Sequence, residues 1–256
     1  MAAADDLLLI AAAAREAGAI ALRYFRNNPR RWTKGVSSPV TEADIAVDDF
    51  LSARLRAARP DYGWLSEETA DGPERLDRAR VFVVDPIDGT RGFIEGDRRW
   101  TVSIAVVEHG RPVAAALYAP ALDELFEART GGGATLGGRP LALATPPALD
   151  AAHIAGPRRQ AKLLGTRAPD FVPSLAYRIA LVATGRIDVA IAGPNAQDWD
   201  IAAADLIVAE AGGLLADLDG APPRYNRSDP RHPALVAAAP ALQHAVAAAL
   251  GRGHGA

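Results

Sequence analysis

Val83-Val84-Asp85-Pro86-Ile87-Asp88-Gly89-Thr90 is the stretch of this 256-residue chain from which its fold and its chemistry are read. Residues 81–84 form a continuous apolar run, the pattern of a strand buried on both faces. The run ends in two carboxylates, Asp85 and Asp88, with Pro86 to fix a turn and Gly89 to allow an unusual dihedral or a close backbone approach. A short helix is expected to begin at Thr90. The two acids then stand at a strand end beside the free N–H groups of a helix start. Hard cations bind the first kind of group and phosphates the second. Asp and Gly are also ordinary turn residues, so this motif alone does not distinguish a site from a turn.

Outward from this stretch the pattern is mixed. On the N-terminal side, an Ala- and Leu-rich helix is predicted over 5–25 and a polar loop over 27–39. Thr41 then caps a helix running to about residue 58, with Asp44 at the capping-box position. Strands are predicted over 62–65, 101–107, 113–118 and 125–128, broken at His109-Gly110 and over 120–123, followed by a glycine-rich turn over 131–138. Pro146-Pro147 marks a boundary between halves at 1–145 and 146–256. In the second half, strands are expected over 152–155, 187–191, from Leu214 and over 235–238. Helices are expected there over 175–183, 200–211 and 240–250. Strands and helices without a regular βαβ repeat give a layered α+β fold.

Composition narrows the function. Hydrophobic residues make up 49% and charged residues 23%, enough for a sizeable core. The chain has no cysteine, which excludes disulfides, thiolate zinc sites, iron–sulfur clusters and cysteine nucleophiles. The net charge of −3 argues against bulk-charge binding of nucleic acid. No apolar run approaches a bilayer span, and no secretory signal is visible, so a cytoplasmic protein is expected. The five histidines lack metal-ligand spacing and read as surface residues.

Two further acidic features stand with the central motif: Ser66-Glu67-Glu68-Thr69, after a predicted strand, and Trp199-Asp200, at the start of an apolar helix. Taken singly, Glu68 reads as a solvated charge and Asp200 as a helix cap. Together, these segments with Glu210-Ala211-Gly212-Gly213 resemble the signature segments of the inositol monophosphatase superfamily, magnesium-dependent and lithium-sensitive phosphomonoesterases. The resemblance runs from about Asp5 to Ala238. It implies the layered αβαβα sandwich of the inositol monophosphatase and fructose-1,6-bisphosphatase type, two or three Mg²⁺ per site, and a homodimer.

Residue by residue, the resemblance makes Glu67, Asp85, Asp88, Asp200 and the Ile87 carbonyl metal ligands. Thr90 and Asp44 would hold the attacking water, with Glu67 beside them. Gly89 and Thr90 would offer N–H groups to the phosphate, and Lys34 resembles a lysine on a loop at the metal site. The substrate-side residues would be Gly89, Thr90, Arg91 and Asp200. About four negative charges in one cleft stay ionised only with cations present.

For the substrate, an acidic residue that contacts inositol in the family is replaced by Gly193. The segment 192–200 and Arg91-Gly92-Phe93 look more like the bacterial 3′(2′),5′-bisphosphate nucleotidases, which convert adenosine 3′,5′-bisphosphate to AMP. Inositol 1-phosphate and histidinol phosphate are the alternatives. Arg91 reads either as a bidentate contact for a second phosphate or as a surface arginine. Arg178 reads as a substitute for that branch's lysine or as solvent-facing, Tyr177 as stacking on a base or, more in keeping with an apolar helix, as a core residue, and Arg158-Arg159 as a phosphate contact or plain surface. A different class, a non-catalytic metal-binding scaffold, is weighed against by the intact set of carboxylates with Thr90 and Asp44. The expected partner is a small phosphorylated metabolite, with no nucleic-acid polymer and no membrane.

Overall fold

A computed structural model describes residues 2–34, 38–157, 160, 164 and 171–252 of the chain. The N-terminal helix α1 (Ala2–Tyr24) is followed by a hairpin of β1 (Arg31–Lys34) and β2 (Ser38–Thr41), then by α2 (Glu42–Ala58). A seven-stranded sheet follows: β3 (Gly63–Ser66), β4 (Arg80–Asp88), β5 (Thr101–Glu108), β6 (Arg111–Ala119), β7 (Glu124–Arg129), β8 (Gly133–Leu136) and β9 (Arg139–Leu141), with α3 (Thr90–Glu95) between β4 and β5. These strands lie side by side in chain order, parallel for β3 with β4 and antiparallel elsewhere. A four-stranded sheet holds β10 (Ile154–Ala155), β11 (Val189–Ala192), β13 (Leu235–Ala238) and β12 (Leu214–Asp217), in that order. Helices α4 (Leu175–Ala183) and α5 (Asp198–Glu210) lie between the sheets, and α6 (Pro240–Arg252) is the last described element.

The layers follow from side-chain alternation. On β4 and β5, Phe82, Val84, Ile104 and Val106 pack with α1 and α2, while Val81, Val83, Ala105 and Val107 pack with α4 and α5. Successive residues of a strand point to opposite faces, so both faces are covered and the run is apolar throughout. The small sheet places Leu215, Leu235 and Ala237 against α4 and α5, and Val189, Ile191 and Val236 against α6. The result is the αβαβα order. Its two-residue turn at His109-Gly110 has both residues at positive φ, 50° and 73°, as a hairpin of this twist requires.

The stretch expected to be a loop over 27–39 contains the β1–β2 hairpin. All four residues of β1 are exposed, so its side chains carry no alternation, and backbone pairing from Arg31↔Thr41 to Lys34↔Ser38 makes the strand. The glycine-rich segment is two turns around β8, the first held where Gly131 and Gly133 each donate an N–H to the Glu210 carboxylate at 2.8 Å. Glu210 thereby ties the end of α5 to the large sheet. Among the described residues, no helix is long and apolar enough to cross a membrane.

Helix α1 lies close on β5 and β6 because its inner face is small: Ala13, Ala14, Ala17 and Ala21 are fully buried. At Gly18 a Cβ would stand 2.7 Å from both the Tyr118 ring and Pro120. Replacing Gly by Ala inside a helix gains up to about 1 kcal/mol of propensity. Overpacking against rigid rings costs about 1–3 kcal/mol. Gly18→Ala is therefore expected to lose up to about 2 kcal/mol in urea denaturation, and a more stable variant would contradict this packing.

Candidate active site

The central motif is a β-bulge, not the turn its sequence suggested. β4 pairs with β5 from Arg80↔Glu108 to Asp85↔Ser103, then shifts register to Asp88↔Thr101. Three steps on β4 thus match two on β5. In an unbroken strand, residues three apart face opposite sides; the inserted residue resets the alternation, so Asp85 and Asp88 share one side. Gly89 follows at φ +93°, where a Cβ would press on the backbone N of Ser174 at 2.9 Å. It starts α3, with its carbonyl accepting from Phe93 N at 3.0 Å.

Asp200 reaches the same corner from the other half of the chain. One carboxylate oxygen each of Asp85, Asp88 and Asp200 falls within 4.8 Å of the others. A cleft of about 460 Å³ opens onto them, walled by Glu67, Gly89, Thr90 and Arg91, with Pro39, Pro173 and the exposed Phe171 at its rim. A larger recess of about 980 Å³ runs between 28–32 and the outer face of α2, but its charged lining is the Arg30–Glu42 ion pair, Arg31 and Asp49, with no cluster of acids. Chemistry, not size, identifies the site.

Each acid is held by hydrogen-bond donors. Asp85 accepts from Ile87 N at 3.0 Å. Asp88 accepts from the Ser174 hydroxyl, from Leu175 N at 3.2 Å and from Ala176 N at 2.7 Å, all at the start of α4. Asp200 accepts from Gln197 N at 2.7 Å, closing a capping box. Asp44 does the same at α2, accepting the N–H and hydroxyl of Thr41 at 2.8 and 2.6 Å. Its other oxygen lies 3.2 Å from the Thr90 hydroxyl, which also reaches the Ile87 carbonyl at 3.0 Å.

Glu67 sits on the loop after β3, its own N–H bonded to the Val84 carbonyl at 3.2 Å. Lys34 bridges this loop, donating to the Glu67 carbonyl at 2.6 Å, with the Glu68 carboxylate at 3.1 Å and that of Glu67 at 3.9 Å. The Glu68 side chain is only 5% exposed, so the expectation of a solvated charge fails; its partner lies 34 residues earlier, beyond the reach of local pattern. Asp48, one turn after Asp44, accepts from Ser66 and Thr69 hydroxyls at 2.5 and 2.6 Å and so clamps both ends of the Glu67-Glu68 loop. Asp48 and Ser174 went unrecognised as site residues, since their partners are distant in sequence.

Of the remaining expectations, Arg91 lines the cleft and is exposed. Arg178 does not face open solvent: it is half-buried, its Nε is buried without a partner, and its charge acts on Asp88. Tyr177 is buried, its hydroxyl donating to Glu124 at 2.7 Å. Gly193 leaves open space, since a Cβ there would meet nothing within 4 Å. His232 corrects the expectation of surface histidines: it is 4% exposed and pairs with Asp198 at 2.7 Å. Arg158, Arg159 and His254 lie outside the described residues.

Burial first, then mutual repulsion, drives the acids toward their neutral forms. Asp85 and Asp200 are pushed well above the ordinary carboxylate range, and Glu67 up to about 7, with Glu68 adding to its burial. Burial also raises Asp44, to about 6, against the pull of its Thr41 hydrogen bonds.

Comparisons with known proteins show the family and the fold. A description of the inositol monophosphatase family matches residues 5–254. The inositol-1-monophosphatase of Mesorhizobium japonicum is 36% identical over 204 residues, 73% of this chain and 75% of that one. The histidinol-phosphatase of Mycobacterium tuberculosis is 36% identical over 235 residues, 84% and 88% of the two chains. The extragenic suppressor protein suhB of Bartonella henselae superimposes with a TM-score of 0.87 at 29% identity, covering 97% of this chain and 99% of that one. The chain belongs to the inositol monophosphatase family and is a hydrolase of phosphate monoesters. Its acidic cluster has the donor set of a site for a hard divalent cation.

Without metal, the raised carboxyls set the sign of the pH dependence. Their unfolded values are near 4, so the native state binds more protons above that pH. The stability they contribute is complete below about pH 4 and is lost as pH rises through their folded values, about 6 for Asp44 and about 7 for Glu67. Asp205, in the core of α5, is raised to about 7 by burial and adds the same sign. In chelator the protein is expected to melt at a higher temperature at pH 5 than at pH 8. A melting temperature that rises over that window would contradict the assignment.

Proposed function

We propose that the chain hydrolyses its phosphate ester by direct attack of water in a magnesium-dependent site formed by Asp85, Asp88, Asp200, Glu67 and the Ile87 carbonyl. The observation that carries this reading is the meeting of Asp85 and Asp88 on β4 with Asp200 on α5, more than 110 residues further along the chain, in one cleft. Divalent cations bound there supply Lewis acidity toward the phosphoryl oxygens and lower the pKa of bound water. The residues of the chain do the rest. Thr90 and Asp44 orient the attacking water, and Asp44 accepts its proton. Asp44 is suited to this by position, with one oxygen fixed by Thr41 and the other meeting the Thr90 hydroxyl. The Gly89 and Thr90 N–H groups, at the start of α3 where no helical acceptor precedes them, face the phosphate. The homodimer implied by the family resemblance belongs to the same reading.

For the substrate, the reading is a phosphomonoester with a second anionic group, a 3′(2′),5′-bisphosphate nucleotide such as adenosine 3′,5′-bisphosphate. Arg178 supports it, a half-buried guanidinium with no hydrogen bond or ion pair among the described residues, on the helix whose N-terminus holds Asp88. Arg91 on the cleft wall supplies a second cation. The relatives named inositol-1-monophosphatase and histidinol-phosphatase, each 36% identical, favour a second reading with inositol 1-phosphate or histidinol phosphate as substrate.

Free phosphate released from these three esters at fixed Mg²⁺ tests both readings. Adenosine 3′,5′-bisphosphate is expected to give the highest kcat/KM, and Arg178→Met to lower it about 10- to 100-fold, as loss of a charged contact does. The loss on inositol 1-phosphate is expected to be smaller, since there the variant removes only the charge that acts on Asp88. A higher kcat/KM for histidinol phosphate or inositol 1-phosphate would establish the second reading. Asp88→Asn is expected to cut turnover by about 10²-fold or more while keeping the melting temperature near that of the parent in chelator. Near-normal turnover would remove Asp88 from the metal set. Millimolar lithium is expected to inhibit.

A further inference from the structure

Away from the cleft, a polar chain joins the two flanks of the site, running from an exposed carboxylate inward to buried Arg75, Asp198 and His232. It begins at Asp71, four residues after Glu67, whose carboxylate accepts from Arg75 Nε at 2.6 Å and Nη2 at 2.8 Å. Arg75 is 3% exposed. Its Nη1 donates to Asn226 Oδ1 at 2.7 Å, and its Nη2 also donates to the Arg227 carbonyl at 2.9 Å. The Asn226 N–H donates to Asp198 Oδ2 at 2.7 Å, and His232 Nε2 donates to Asp198 Oδ1 at 2.7 Å. Asp198 is fully buried and is the first residue of α5, two before Asp200. The backbone reinforces this grip, with Asp198 N bonded to the Pro230 carbonyl at 3.0 Å and His232 N to the Ala196 carbonyl at 2.8 Å.

None of these side chains lines the cleft. A buried charged network contributes little net stability compared with apolar packing of the same volume. What it does supply is direction. Apolar contacts let a helix slide by fractions of an ångström, whereas a series of short, fully paired hydrogen bonds fixes where it begins. Here the series runs from the loop of Glu67, through the 3-10 turn Pro73–Asp77, to the start of the helix of Asp200. A cation held by carboxylates from both flanks needs that spacing to be right before it binds.

We propose that the chain Asp71–Arg75–Asn226–Asp198–His232 fixes the separation of Glu67 from Asp200, making these five positioning residues for divalent-cation binding. The proposal rests on reading the carboxylate cluster as a cation site, and the test separates the two. Asn226 has φ +54°, which glycine adopts without strain, so Asn226→Gly keeps the backbone N–H to Asp198 and removes the side-chain acceptor of Arg75, leaving the Arg227 carbonyl as its remaining tie to this segment. Asp198→Asn cuts the same chain one link further on. Mn²⁺ binding to the full chain is titrated by the paramagnetic resonance signal of free Mn²⁺, with melting temperature in chelator measured alongside.

Each variant is expected to bind Mn²⁺ about tenfold more weakly. The double variant is expected to bind no more weakly than the weaker single one, since both sever one connection. Variants that melt earlier in chelator but keep the parent Mn²⁺ affinity would show a structural role only and overturn the proposal, as would additive losses. If Asp198→Asn does not unfold cooperatively, Asn226→Gly alone decides. A parent protein that binds no Mn²⁺ removes the cation site and the proposal with it. A parent that binds, with Asn226→Gly binding equally well, removes the proposal and leaves the site.

Discussion

The repulsion among Asp85, Asp88 and Asp200 is the constraint around which the molecule is organised. Three carboxylates within 4.8 Å of one another, fully ionised, repel by about 3–4 kcal/mol per pair at an effective dielectric of 20. The sum, roughly 10 kcal/mol, is comparable to the whole stability of a typical domain. Yet no basic side chain forms an ion pair with any of the three among the described residues. They are gripped by neutral donors: Ile87 N, Leu175 N, Ala176 N, Gln197 N and the Ser174 hydroxyl. Neutral donors set position without cancelling charge. Cancellation is left to a cation, and the fold's task is to keep the acids in place until one binds.

Local motifs accomplish that placement economically. Asp44 and Asp200 are both the third residue of a helix and both close a capping box, so one oxygen of each is tied to backbone. The other oxygen of Asp44 meets Thr90. A β-bulge turns Asp85 and Asp88 to one side, and the start of α4 receives Asp88. Helix α2 serves twice, with Asp44 directed to Thr90 and Asp48 to the Ser66 and Thr69 hydroxyls. The β5 strand adds a direct link, Ser103 Oγ donating to the Trp199 carbonyl at 3.3 Å beside Asp200.

What could be read in the sequence is what depends on short-range pattern. The run over 81–84 gave a doubly buried strand, because full burial leaves no polar alternation, and the structure has β4 there. The Thr41 and Asp44 capping box was visible because its partners are three residues apart. The layered αβαβα order followed from the family's signature segments. The bulge was hidden, since it exists only in register with β5. The β1–β2 hairpin was hidden because its exposed side chains carry no pattern. Glu68 and His232 were misjudged because a residue type's usual exposure says nothing of a partner far along the chain. Ser174, 86 residues from Asp88, was missed as a holder of that acid for the same reason.

In crystals grown with Mn²⁺, an anomalous-difference map is expected to show density within coordination distance of the carboxylates of Asp85, Asp88 and Asp200 together. Manganese bound elsewhere, or a cleft that stays empty at saturating manganese while these three acids keep their places, would contradict this.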